Sequence, residues 1–590
     1  MSRKKANVSS SAIRLPVRSG KPAGKDRDSR QGGRASGAGA SLASPAAIRE
    51  IVESIVVAFV LAFLFRTFEA EAFVIPTGSM APTLMGRHKD LVCPVCGYPF
   101  QVSASDEVDA HGRLKGHEVV AGTCPMCRSV VDMGWGNPQR KGYPSYNGDR
   151  ILVAKFPYYF GDPERWDVAV FRFPGGAKTN YIKRIVGLPG ETIRIQYGDV
   201  FVRRPGESAF TIARKPPEKI LAMMQPVYDN DYVLGEWIER GWPSRWSSWP
   251  AEPGGWQPSA DYKSFEVRGA GPQTVWLTYA HYVPSEDDWE RFSAGRLLER
   301  PPRPQLINDF AAYNTEQTRL RVGGGDSFWG GGGLGPPLHW VGDLVVEFDL
   351  ATEKAGGELL VALIKGGRQF LCRLDLRAQT ARLELPTGET FSSAAGVIRS
   401  GRHRIRFANV DAQLVLWIDG RVVPFGQAVV YDPALAIRPT AADLHPVRIG
   451  SAGAEARVSR LRIFRDIYYI AQTVGSGPEF DMSAAAHLGP EQFLSDPKHW
   501  DVFAARQPIE FALHEDQFLV LGDNSAASKD SRLWSGDVDA EGRHPYPYVS
   551  RDLLIGKALY IYWPHSWDKL PGLPIPFPFF PNFARMGFVR

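Results

Sequence analysis

Three short stretches of this chain hold side chains able to cut a bond. In FVIPTGSMAPTL (residues 73–84), Ser79 is the one serine of an apolar, turn-rich run. In TNYIKRIVGLPGETIRI (179–195) a strand leads into a glycine-rich turn. On period two, Lys183 shares a face with Tyr181 and Ile185, while Ile182, Arg184 and Val186 take the other. Apolar neighbours would desolvate the amine and pull its pKa below the free value of about 10.4, which turns a lysine into a usable base. A neutral amine beside a hydroxyl is a nucleophile–base pair. In LVLGDNSAASKDSRLW (519–534), Gly522, Asp523 and Asn524 mark a tight turn, after which Ser528, Asp530 and Arg532 alternate along one side of an extended chain. The hydroxyl could orient the amine, and the carboxylate and guanidinium could tie the loop down. Each stretch alone also fits a plainer role: a linker turn, a surface lysine, a polar loop.

These residues need elements to hold them. The chain has 590 residues and is 44% hydrophobic, enough for several cores. Residues 1–50 carry a net charge of +8, so the remaining 540 sum to −3 within the chain's +5. The basic character belongs to the tail, residues 1–46, whose Gly, Ser, Ala and Arg have little to bury and predict disorder. No nucleic-acid partner is expected. From 51 to 65 the chain reads IVESIVVAFVLAFLF, and residues 47–66 reach the length of a short spanning helix. A cleaved signal peptide or a buried core helix is the rival. About fifty residues precede the run, which favours an uncleaved anchor. The basic tail then places the N-terminus in the cytoplasm and everything after Arg66 outside, with Ser79 thirteen residues past the membrane edge. The C-terminal segment 567–590 is rich in Pro and aromatic residues, which forbids a second spanning helix and leaves it to graze a bilayer surface.

In order and spacing, PTGSMAPTL, GDRILVAKF (148–156), RWDVAVFRFP, NYIKRIVGLPGE, GDNSAASKDSR and GKALYIYWP (556–564) together resemble the type I signal peptidases, the membrane-bound serine proteases that remove signal peptides from exported proteins. The resemblance implies Ser79 as nucleophile and Lys183 as general base. It implies an oxyanion hole from the Thr77 hydroxyl and the Ser79 backbone N–H. Ser528 would hold the amine, with Asp530 and Arg532 as a structural ion pair and Arg184 in a structural role beside the base. No cofactor is needed for catalysis. The implied substrates are preproteins cut after an Ala-x-Ala-like site. The implied location is the bacterial cytoplasmic (inner) membrane, single-pass, with the catalytic domain on the periplasmic face, where the lipid bilayer and the secretion translocon are partners.

The expected fold is mostly β: a transmembrane helix, an all-β catalytic core (67–87, 140–205 and 500–566) and two insertions. The first, 88–139, holds Cys93 and Cys96 in one C-x-x-C and Cys124 and Cys127 in another, 27 residues apart. That pattern favours a structural four-cysteine zinc site, with disulfides as the alternative in an oxidising compartment. His88, His111 and His117 read as surface residues and Cys372 as a core residue. The second insertion, 206–499, shows short alternating strands that predict an antiparallel β-sandwich over about 225–470. HRIRFANVDAQLVLWIDGRVVPF resembles concanavalin- or laminin-G-like jelly rolls. GGGDSFWGGGG (323–333) reads as a flexible loop, and most of Trp237, Trp242, Trp246, Trp249 and Trp256 as packing residues. A glycan or protein ligand of the sandwich is expected. As an accessory domain it should be removable without loss of cleavage of a short peptide. The rival function is a membrane-anchored binding module on a degenerate peptidase frame, and a Ser-Lys self-cleaving repressor-type protease is a poorer match because it lacks a spanning helix.

Overall fold

The computed structural model describes residues 49, 51–60 and 70–590, apart from 110–112, 114, 135–142, 177–178, 251–253, 269–270, 272, 297–301, 323–324, 331–336, 355, 538–543 and 570–575. The basic tail expected over 1–46 lies outside the described residues. The chain divides into two units, residues 1–63 and 64–590. Of the expected span 47–66, residues 49 and 51–60 are described and helical, with Ile51, Val56 and Phe59 exposed. Among the described residues no helix is long and apolar enough to cross a membrane, and the rest of the expected span lies outside them.

The second unit is mostly strand. One antiparallel sheet orders Ala70–Val74, Arg150–Ala154, Leu554–Trp563, Val168–Arg172, Asn180–Gly187, Gln517–Leu521 and Val549–Ser550. Residues Ile182 to Gly187 are buried without a break, so this strand is covered on both faces. A half-exposed strand would bury every second residue. Here Lys183 and Arg184, on opposite faces, are both taken out of water. A second sheet, Thr211–Ile212, Asp199–Arg203, Thr192–Gln196 and Ile509–Ala512, continues the core.

The insertion 206–499 forms two sheets around one core. Leu344–Thr352, Gly401–Val410, Gln413–Ile418 and Ala456–Arg465 pair antiparallel in one. Glu358–Lys365, Arg368–Asp375 and Thr380–Glu384 pair antiparallel in the other. Val346, Phe348, Val361, Phe407 and Leu416 share their interior. Trp237, Trp242, Trp246 and Trp256 are buried, whereas Trp249 is exposed, and Cys372 lies in the core.

Three features depart from or add to the expected organisation. The two insertions are not separate: Gln317–Val322 of the second pairs with His117–Thr123 of the first, and Cys93, Cys124 and Cys127 belong to the same apolar cluster as the sandwich interior. A two-knuckle segment is too small to bury a core of its own and borrows one. The glycine-rich run is no loop throughout, since Gly325–Gly330 pairs with Gln317–Val322 as a hairpin. The C-terminal segment returns to the core: Gly587–Phe588 adds to the Leu554–Trp563 strand, and Arg585 pairs with buried Asp149 at 2.9 Å. Its prolines exclude a helix but leave an edge strand open to it.

Candidate active site

The strand Asn180–Gly187 aims Lys183 at a single 3-10 turn, Gly78–Met80, that carries Ser79. Lys183 Nζ lies 2.6 Å from Ser79 Oγ and donates to the Ile182 carbonyl at 3.0 Å. Ser79 is 9% exposed and Lys183 3%. Burial pushes the amine down to about 8, against Asp530 and Asp523, whose negative charges pull it up. The result is a base poised near neutrality in contact with the hydroxyl it would deprotonate.

On the opposite strand face, Arg184 makes a two-pronged ion pair with Asp523: Nε to Oδ1 at 2.7 Å and Nη2 to Oδ2 at 2.5 Å, both side chains fully buried. Thr83, four residues past Ser79, also donates to Asp523 at 2.5 Å. Asp523 thus ties the lysine strand to the serine loop, a role its place in a tight turn did not disclose. Asp530 accepts from Arg532 through both oxygens at 2.8 Å and from the Gly522 N–H at 3.0 Å. Burial alone would raise its pKa, but the Arg532 charge together with the hydrogen bonds from Arg532, the Gly522 N–H and Ser528 holds the carboxyl below the ordinary range.

The loop that carries Ser528 is shaped differently from expectation. Residues 525–536 fold as two 3-10 turns with an irregular link, not as an extended chain. Ser528 Oγ is buried beside the Asp530 carboxyl, which it helps hold below the ordinary range, and makes no hydrogen bond to the Lys183 amine. It lies close enough to Gly522 that a Cβ there would meet it at 2.1 Å and the Ser79 carbonyl at 2.4 Å. Thr77 is exposed, and its hydroxyl does not cap the Gly78–Met80 turn.

The second insertion supplies two residues to this site. Tyr313 packs edge-on against Gly78, where a Cβ would come within 2.1 Å of its ring, and it clusters with Ala81 and Met85. Asn314 is 2.7 Å from Asn524, whose amide donates to the Gly78 carbonyl at 3.1 Å and whose N–H meets the Ser79 carbonyl at 3.1 Å. The same insertion reaches the ion pair, because Arg532 donates to the Ile470 carbonyl at 2.9 Å. No local pattern marks Tyr313 or Asn314. The only sequence signal is the requirement for glycine at position 78.

Cys93, Cys96, Cys124 and Cys127 converge with their sulfurs within 4.8 Å of one another, Cys93 to Cys127 and Cys96 to Cys124 each at 3.5 Å. A disulfide needs about 2.05 Å, whereas tetrahedral zinc at about 2.3 Å from each sulfur spaces them by about 3.8 Å. All four are free thiols that fit zinc.

Residues 139–220 match the family model described as signal peptidase, peptidase S26. The match takes in Lys183, while Ser79 lies outside it. Signal peptidase I of Pseudomonas aeruginosa is 51% identical over 59 residues, 8% of this chain and 21% of that protein. Signal peptidase I of Leptolyngbya laminosa is 32% identical over 96 residues, 15% of this chain and 46% of that protein. The chain thus spans between about a fifth and a half of the length of these relatives. Among solved structures, the carbohydrate binding module CBM66 from Bacillus subtilis aligns with 37% of this chain and 95% of its own at 8% identity, with a TM-score of 0.20, too low to carry an argument. The matching segments support a serine peptidase of signal peptidase type over a small part of the chain.

Proposed function

We propose that this protein is a signal peptidase I, an endopeptidase that removes N-terminal signal peptides after an Ala-x-Ala-like site. The observation that carries this reading is the 2.6 Å contact between a desolvated Lys183 amine and Ser79. Neutral Lys183 takes the Ser79 proton as Oγ attacks the scissile carbonyl, and the negative charge that develops on oxygen is met by the Ser79 N–H and, after a side-chain rotation, by Thr77. Lys183 then protonates the departing amine. In the second half it deprotonates a water that attacks the acyl-Ser79 ester, releasing the signal peptide. The buried Ser528 hydroxyl is the group to receive the amine when Ser79 becomes acylated.

The reading places residues 47–66 in the bacterial cytoplasmic membrane as a single anchor, with the site on the periplasmic face near the translocon, where the cut end of a signal peptide emerges. The four cysteines hold a structural zinc that joins two knuckles and takes no part in the reaction. Titrating the thiols with a mercurial should release one zinc per four cysteines modified, and modification without metal release would reject the site. The sandwich recruits a ligand. Its open groove of about 800 Å³ is lined by Arg402, Arg404, Arg406, Arg457 and Arg460 against Asp349 and Asp419, an excess of positive charge that favours an anionic glycan or protein segment.

Detergent-solubilised protein should cut a preprotein bearing an Ala-x-Ala site, and Ser79→Ala should reduce the rate at least about 10⁴-fold with the fold retained. Because the base acts unprotonated, kcat/KM should rise about tenfold per pH unit below 8 and level off above it. An inert wild type, or a profile flat from pH 6 to 9, would sink the peptidase reading.

A further inference from the structure

Outside the dyad and the cysteines, His88, Asp90 and His565 bring their ligand atoms within 4.8 Å of one another. His88 and Asp90 belong to the strand His88–Val92 of the first insertion, and His565 follows the core strand Leu554–Trp563. His88 is fully buried, so it is not the surface residue that its sequence context suggests, and His565 is 9% exposed.

Their hydrogen bonds fix both tautomers. His88 Nδ1 is 2.6 Å from the Gly86 carbonyl, an atom that can only accept, so Nδ1 carries the proton and Nε2 a lone pair. His565 Nε2 is 2.5 Å from Asp90 Oδ2. With Nε2 donating to that carboxylate, Nδ1 is the ring nitrogen left to present a lone pair. These two free nitrogens, His88 Nε2 and His565 Nδ1, face each other at 3.2 Å. Two lone pairs aimed together in a buried site repel unless a cation sits between them.

The geometry points to a second metal site, a divalent ion of borderline softness such as zinc, bound by His88 Nε2 and His565 Nδ1. An ion about 2.0–2.1 Å from both nitrogens would subtend about 100° at their 3.2 Å separation, close to tetrahedral. Asp90 Oδ1, 3.8 Å from His88 Nε2, is in reach of a third position. Anchoring the other ring nitrogen on a carbonyl and a carboxylate is the arrangement that orients histidine ligands. The rings are preorganised: Tyr146 stacks on His565 at 4.6 Å between centroids, and its backbone pairs with that of His88. The positive group facing the site, Arg585, is paired with Asp149. An ion here would clasp the cysteine-bearing insertion to the last long core strand. It would also steady Gly86, whose Cα lies against Thr77 and Gly78 so closely that a Cβ would overlap them.

Metal content of the full chain, purified without chelator or affinity metal, tests this directly. The wild type should hold two zinc equivalents, one released with the four thiols and one resistant to mercurial. His565→Gln should lose only the resistant one. Anomalous scattering at the zinc edge from wild-type crystals, which does not depend on any variant folding, should place a peak between the two rings. One equivalent in both proteins, or density at the cysteines alone, would overturn the proposal and leave a proton shared between the imidazoles as the bridging cation.

Discussion

Lys183→Met should abolish cleavage at every pH and at the same time make the fold more stable. Removing the base leaves Ser79 with no proton acceptor in contact, and loss of one member of such a pair typically costs about 10⁴-fold or more in rate. The stability gain follows from the depressed pKa. In the unfolded chain the amine titrates at 10.5, whereas in the folded protein burial brings it to about 8. Between these values the unfolded state binds more protons, so stability rises with pH from 8 to 10.5 and is lowest below 8. A difference of about 2.5 units corresponds to about 3 kcal/mol at pH 7, which methionine, similar in length and uncharged, would restore. Denaturant unfolding of both proteins at pH 7 and pH 11 checks the sign: the variant should lead at pH 7 and the gap should close at pH 11. A variant less stable than wild type at pH 7 would mean that Lys183 is not held at a cost and is no tuned base.

Deleting residues 206–499 should inactivate the enzyme even toward a short peptide, contrary to what an accessory insertion predicts. The deletion removes Tyr313 from the Gly78 turn and Asn314 from Asn524, and it strips the Ile470 carbonyl from Arg532. It also removes Ile467, Tyr469 and Ala471 from the cluster they share with Val186, Ile193 and Leu521 of the core. Tyr313→Ala isolates the first of these effects. Emptying a buried aromatic site costs about 3–5 kcal/mol, and a nucleophile displaced by about an ångström loses about a hundredfold in kcat with little change in KM. Tyr313→Phe should be near normal, because the ring does the packing and its hydroxyl donates to the Arg87 carbonyl across a long 3.3 Å bond. An active deletion protein, or a Tyr313→Ala variant with unchanged kcat, would show that the serine turn holds its shape alone.

The sequence by itself determined the chemistry and its local settings. Strand period put Lys183 among apolar neighbours, Pro-Thr-Gly residues put Ser79 in a turn, and cysteine spacing gave two knuckles. These are short-range patterns, legible because helix, strand and turn geometry repeat over a few residues. Tertiary structure alone decided who meets whom. Arg184 finds Asp523 339 residues away and His88 faces His565 across 477, while Tyr313 seals the nucleophile turn and the two insertions share a sheet. Such contacts leave no periodic trace, because they depend on how distant segments close in space. A buried charge or an unpaired lone pair is recognised only once its surroundings are known.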